Sequence, residues 1–145
     1  MQVKIWLMNS CYANKSDLFI DAAEKINDST YFYLAVPHSA YYSCFLWMKH
    51  LCYSKYGKTE NEIKNEVDPT KHGTHEIMAE FIRMRLYASA SKFEEKQRAK
   101  EFIAKIGQLK KIRFKADYGE ESITITQSKK SIELAKDVLK ILKTI

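Results

Sequence analysis

Glycine and proline are scarce in this chain, with four Gly and two Pro among 145 residues. That scarcity excludes a fold built from many tight hairpins and long turns, which need the positive φ of Gly and the fixed φ of Pro. No apolar run reaches 18 residues, so no segment is expected to span a membrane. The opening stretch, M-Q-V-K-I-W-L-M-N-S, is too short in apolar length for a secretory signal and lacks a small-residue cleavage site. The cytoplasm is the expected location. The three cysteines, Cys11, Cys44 and Cys52, are odd in number and sit inside apolar patterns. They are expected to be buried free thiols in a reducing compartment. Nucleophile triads, Walker loops and dinucleotide fingerprints are missing, and Gly is too rare to build a phosphate cradle. No cofactor is expected.

What the chain does contain is helix-forming sequence rich in Leu, Ile, Ala, Lys and Glu. Its length suits one domain, 1–145, with enough buried surface for a real core. The organising stretch is Ala35 to Tyr56, read as a long helix with Pro37 in its first turn and Gly57 as its stop. Tyr41, Phe45, Met48 and Cys52 recur at helical spacing, and Tyr42, Leu46 and Leu51 widen the stripe. A helix apolar on so many sides is expected to be central, with other helices wrapped around it.

Taken in order, residues 1–15 form an N-terminal arm or an extra helix. Ser16-Asp17 is expected to cap a helix carrying Phe19, Ile20, Ala23 and Ile26, which ends near Asn27. The aromatic stretch Thr30 to Leu34 begins the approach to the central helix. Residues 58–73 are polar and punctuated by Asp68-Pro69 and Gly73, and are read as a mobile loop, with a short helical turn as the alternative within it. Thr74 caps a helix to about Ser89. The next helix runs from Ser91 to about Lys115, broken by Ala116-Asp117-Tyr118-Gly119. The last spans about Thr126 to Thr144, with Ile132, Ala135, Val138, Leu139 and Leu142 inward and lysines outward. Ile123 to Thr126 looks β-like, but a single such run has no partner. The fold class is all-α, an up-and-down bundle of about five helices.

Two elements carry a resemblance. H-S-A-Y-Y-S-C-F-L-W-M-K at 38–49, followed by L-K-K-I-R-F-K-A-D-Y at 109–118 and a Lys-rich terminal helix, resembles the HEPN superfamily of small prokaryotic helical domains. The resemblance covers roughly residues 16–143. It implies a compact bundle that forms a homodimer, working with RNA, with a nucleotide or with a nucleotidyltransferase-like protein partner in toxin–antitoxin, phage-defence or CRISPR settings. Catalytic members resemble one another in an Arg followed four to six residues later by His, on the helix where Arg113 sits. Arg holds a phosphate through its planar fork, and His moves a proton during attack by the ribose 2′-OH.

This chain departs from that pattern. All four histidines, His38, His50, His72 and His75, precede all four arginines, Arg83, Arg85, Arg98 and Arg113. Asp117 and Tyr118 stand where the His would lie, and a carboxylate is a poor acid at neutral pH. The resemblance therefore points to a non-catalytic binding or assembly module. The alternative is a metal-independent endoribonuclease with a displaced site around Arg113, in which His38 or Asp117 handles protons.

Each candidate has a plainer reading beside it. Arg113 and Asp117 are four apart, as a structural i,i+4 ion pair or as a pair facing a ligand. Tyr118 packs at the helix end or touches a partner. His38 is an interior or surface histidine, or it faces Arg113 across the bundle and replaces the missing proton carrier. His72, His75, Glu76 and Glu80 carry donor atoms, but their spacing does not complete a zinc site, so no metal is expected. His75 is expected as a polar residue at a helix N-terminus. Residues 92–115 hold nine basic and three acidic side chains, a net +6 that equals the charge of the whole chain. Lys110, Lys111, Arg113 and Lys115 are thus candidate phosphate contacts, or a solvated helix that keeps the protein soluble. No aromatic residue interleaves with them on an obviously exposed face, so stacking on single strands gains no support.

Overall fold

The computed structural model describes residues 10–28 and 33–145, and helices make up most of both segments. Residues 1–9 of the arm or extra helix expected at 1–15, and Thr30 to Phe32 of the aromatic approach, lie outside them. Helix α1 (Cys11–Asn27) begins earlier than the Ser16-Asp17 cap suggests. Its cap is Ser10, whose hydroxyl oxygen accepts the Ala13 N–H at 3.3 Å. Ser16 is instead buried inside α1, where its hydroxyl donates to the Ser43 carbonyl at 2.6 Å. The fully buried residues of α1 are small, Ala13, Ser16 and Ala23, with Ile20 and Ile26 partly buried beside them, and a buried hydroxyl there must find a partner across the helix pair. Cys11 is also corrected: it opens α1 on the surface and is exposed.

A 3-10 turn (Tyr33–Ala35) leads into α2 (Val36–Lys49), with Pro37 in the first turn as its spacing predicts. The helix continues as a wider π-helical segment, His50–Lys55. There the Tyr56 N–H reaches five residues back to the Leu51 carbonyl at 2.8 Å. Gly57, at φ +62°, then lets the chain leave in a direction a side chain would oppose. Tyr41, Phe45, Met48 and Cys52 are all buried, and α2 packs against four of the other helices. It is the central helix.

Within 58–73 the helical turn is a short helix of seven residues, α3 (Glu60–Glu66). Thr59 and Glu62 form a reciprocal capping box, and Ile63 and Val67 bury one apolar side chain per turn. Those two features order a segment whose composition is otherwise that of a loop. Helix α4 (Thr74–Ser89) is preceded by Gly73 at φ +80°; Thr74 does not cap it but donates its hydroxyl to Glu60 at 3.0 Å, tying α4 to α3. Helix α5 (Phe93–Tyr118) runs through the expected break at 116–118 and stops at Gly119. Ala116 suits a helix interior, and Asp117 gains Arg113 one turn back as its partner. Helix α6 (Ile125–Leu142) is capped by Thr124 with Gln127. The β-like run at 123–126 makes no strand, because Ile123 is a buried anchor and Thr124 a cap.

The protein is an all-α helical bundle, with six helices and no strand among the described residues. One helix more than expected is present, and it is α3. No helix of the described residues is long and apolar enough to cross a membrane.

Candidate functional site

Helix α5 crosses the start of α2, and the sequence-named residues meet there. His38 sits in the first turn of α2, and Arg113 and Asp117 lie on successive turns near the end of α5. His38 Nδ1 is 3.0 Å from Asp117 Oδ2, and Arg113 Nε is 2.9 Å from the same oxygen. One carboxylate oxygen thus joins the two candidates, His38 and Arg113. The Arg113 Nε–H is buried and finds no aligned acceptor among the described residues, so its pairing with Asp117 is coulombic rather than a directed hydrogen bond. In the tautomer that donates from Nδ1, His38 leaves Nε2 free, and its side chain is 44% exposed.

Aromatic rings frame this cluster. His38 stacks on Tyr42 at 4.6 Å between centroids. The Arg113 guanidinium carbon lies 5.5 to 5.7 Å from the ring centres of Tyr41, Tyr42 and Tyr118. A planar cation amid three π faces and beside a carboxylate is held firmly, and the Arg113 side chain is only 14% exposed. That arrangement fixes the guanidinium; it does not present it openly.

His75 lies in the first turn of α4, the helix N-terminus where it is expected, and is half-buried against the rings of α2. Its ring stacks on Phe45 at 3.8 Å, and its Nδ1 is 2.8 Å from the Tyr41 hydroxyl. Burial, with the cations of Arg113, Lys110 and Lys49, pushes its pKa down to about 4. Burial pushes Tyr41 up to about 12. At neutral pH the phenol therefore donates and the neutral imidazole accepts. Nothing in the sequence spacing marks this pair, because 34 residues separate its members. Beside it a cleft of about 240 Å³ is lined by Lys71, Glu76, Glu80 and Lys110 among others, charges of both signs. Among the described residues no group of three His, Cys, Asp or Glu side chains is placed to hold a metal ion.

The remaining binding candidates share the outer face of α5. Lys111, Phe114, Lys115 and Tyr118 fall at i, i+3, i+4 and i+7, a single stripe. Phe114 is 60% exposed and Tyr118 65%, with ring centroids 5.1 Å apart. This corrects the expectation that no exposed aromatic interleaves with the basic residues. The spacing that places Ile106, Leu109 and Ile112 toward the core turns Phe114 and Tyr118 to solvent. Lys110 and Lys111 are exposed and have no ion-pair partner among the described residues. No family model, no curated protein and no solved structure matches the chain.

Proposed function

We propose that the chain is a non-catalytic, HEPN-like binding and assembly module of the cytoplasm. It acts as a homodimer with RNA, a nucleotide or a nucleotidyltransferase-like protein, in a toxin–antitoxin or defence setting. The observation that carries this reading is the gathering of positive charge at the end of α5. Lys110 and Lys111 stand free of ion pairs among the described residues beside the fixed Arg113. Such a surface attracts phosphate without reading sequence. Binding is favoured over cleavage because Arg113 is already engaged by Asp117 and three rings, and because His75, the other histidine nearby, is held neutral at physiological pH.

The test pairs affinity with integrity. Purified protein is mixed with an RNA pool and chelator, and binding is read by anisotropy while the RNA is run on a gel. Bound, intact RNA is the expected result, with affinity lowered in Lys110→Glu/Lys111→Glu. No binding to RNA would remove that partner from the reading, and a monomeric scattering mass at micromolar concentration would remove the dimer.

One observation favours a second reading, a metal-independent endoribonuclease. The contact His38–Asp117–Arg113 orients an exposed imidazole beside a guanidinium, as acid–base chemistry on a phosphodiester requires. RNA cut by the parent, and left whole by both His38→Ala and Arg113→Ala, would put this reading in place of the first.

A further inference from the structure

We infer that the outer stripe of α5 is a stacking platform for single-stranded nucleic acid, with Phe114 and Tyr118 receiving bases and Lys110, Lys111 and Lys115 receiving phosphates. The inference rests on the RNA-binding part of the reading above and names the form of RNA that the surface suits.

Two large rings exposed to 60% and 65% are costly to leave in water, and they are neighbours rather than scattered. Phe114 floors a shallow depression of about 530 Å³ whose rim is Lys110, Lys111 and Lys115, open at its end where Gly119 has no side chain, and the Tyr118 ring lies against Phe114 one turn on. Lysine around aromatic faces is the pairing that single strands use, because every base has a π face and every linkage a charge. Glu121 is the acidic residue that reaches this rim, 3.8 Å from Lys115, and at 85% exposed its side chain is screened by solvent.

Charge selects among occupants. A second copy packed through this face about a two-fold axis would set lysines against lysines around Phe114. An amphipathic helix needs a walled groove to bury its stripe, and this depression is shallow. A base needs only a ring face. In a duplex the bases are already stacked on one another, so a duplex meets the lysines and not the rings.

The experiment compares two fluorescent probes of equal length, an oligouridine and a mixed-sequence RNA duplex, on the parent and three variants. The parent is expected to bind oligouridine more tightly than duplex. Phe114→Leu, which keeps apolar area but no planar face, should weaken oligouridine binding about tenfold and leave duplex binding unchanged. Tyr118→Phe keeps the face and should bind as the parent does. Lys110→Ala/Lys111→Ala should weaken both probes. Phe114 is exposed, so the fold survives its replacement, and circular dichroism verifies that. Oligouridine affinity unmoved by Phe114→Leu while the lysine variant loses both probes would overturn the platform and leave RNA binding standing. Failure of the parent to bind either probe would instead sink the RNA-binding reading itself. Loss of self-association in Phe114→Leu, with RNA affinity unchanged, would assign the face to a copy of the chain.

Discussion

His75 shows how one side chain couples the cluster to pH. Its ordinary pKa near 6.5 is depressed to about 4 in the fold, first by burial and then by Arg113, Lys110 and Lys49. Above pH 6.5 the ring is neutral in both folded and unfolded chains and pH has no leverage through it. Between 6.5 and 4 the unfolded chain takes up a proton that the folded one refuses, so stability falls as pH falls, and levels off below 4. The ring is only half-buried, so the loss is about 1–2 kcal/mol, well under the full linkage value. His50, lowered by burial and Lys55, adds in the same direction. Urea midpoints at pH 7 and pH 5 should therefore drop further in the parent than in His75→Gln. Equal drops would mean that the ring is already solvated in the native state. The thiols make a second residue-level prediction. Burial pushes Cys44 and Cys52 up to about 12, whereas Cys11 is exposed. A disulfide reagent should modify one thiol in the folded protein and three after unfolding. Rapid modification of a second thiol without denaturant would show that the core opens around α2.

Helix ends decide which residues meet at the site, and α5 is the instructive element. Gly119 stops it not through a positive φ but through lack of room: a Cβ there would lie 2.5 Å from the Lys115 carbonyl oxygen, the acceptor of the Gly119 N–H. Gly119→Ala must move backbone, and should cost about 1–2 kcal/mol. Its Tm should fall by roughly 2–6 °C in a scan against the parent. An unchanged Tm would contradict so close an approach. The same elements mark how much was legible beforehand. Helix α2 was readable because Pro37, a four-three-four apolar rhythm and Gly57 all agree. Helix α6 was readable because its lysines and core residues separate cleanly. Helix α3 was not, since seven residues with one apolar anchor, Ile63, carry almost no periodicity. In the first turns of α1 the buried residues are Ala13 and Ser16, which contribute little hydrophobic signal, so Ser16 reads as a cap and Ser10 does not. At the site, the Arg113–Asp117 pair follows from spacing alone, whereas the meeting of His38 with Asp117 depends on how α2 crosses α5. The stripe Lys111, Phe114, Lys115 and Tyr118 was present at helical spacing all along. A helix whose other face holds Ile103, Ile106, Leu109 and Ile112 does not announce which of its two apolar sides faces water.

Across the whole molecule, positive charge is segregated rather than merely abundant. Residues 92–115 carry the entire net +6, and packing then subtracts from it unevenly. Lys105 is drawn to Glu101 and Asp137, and Arg113 to Asp117. Among the described residues, Lys110 and Lys111 remain free of ion pairs toward the end of α5, and Lys115 is held there by the exposed Glu121. On the proposed reading, a polyanion approaching the bundle is drawn to one end of one helix, next to the exposed rings. Such binding has a thermodynamic signature that does not depend on knowing the natural ligand. Each phosphate neutralised on a single strand releases condensed counterions and adds about −0.7 to the slope of log affinity against log salt. Three lysine contacts predict a slope near −2, and Lys111→Ala should make it shallower by about 0.7. Phe114→Leu should lower affinity at every salt concentration while keeping the slope of the parent, because stacking releases no ions. Anisotropy titrations of an oligouridine across a salt series measure both quantities in one experiment. A slope that Lys111→Ala leaves intact would place the phosphate contacts elsewhere on the molecule. A slope that flattens in Phe114→Leu would mean that the rings act by holding the lysines in place and not by stacking on bases.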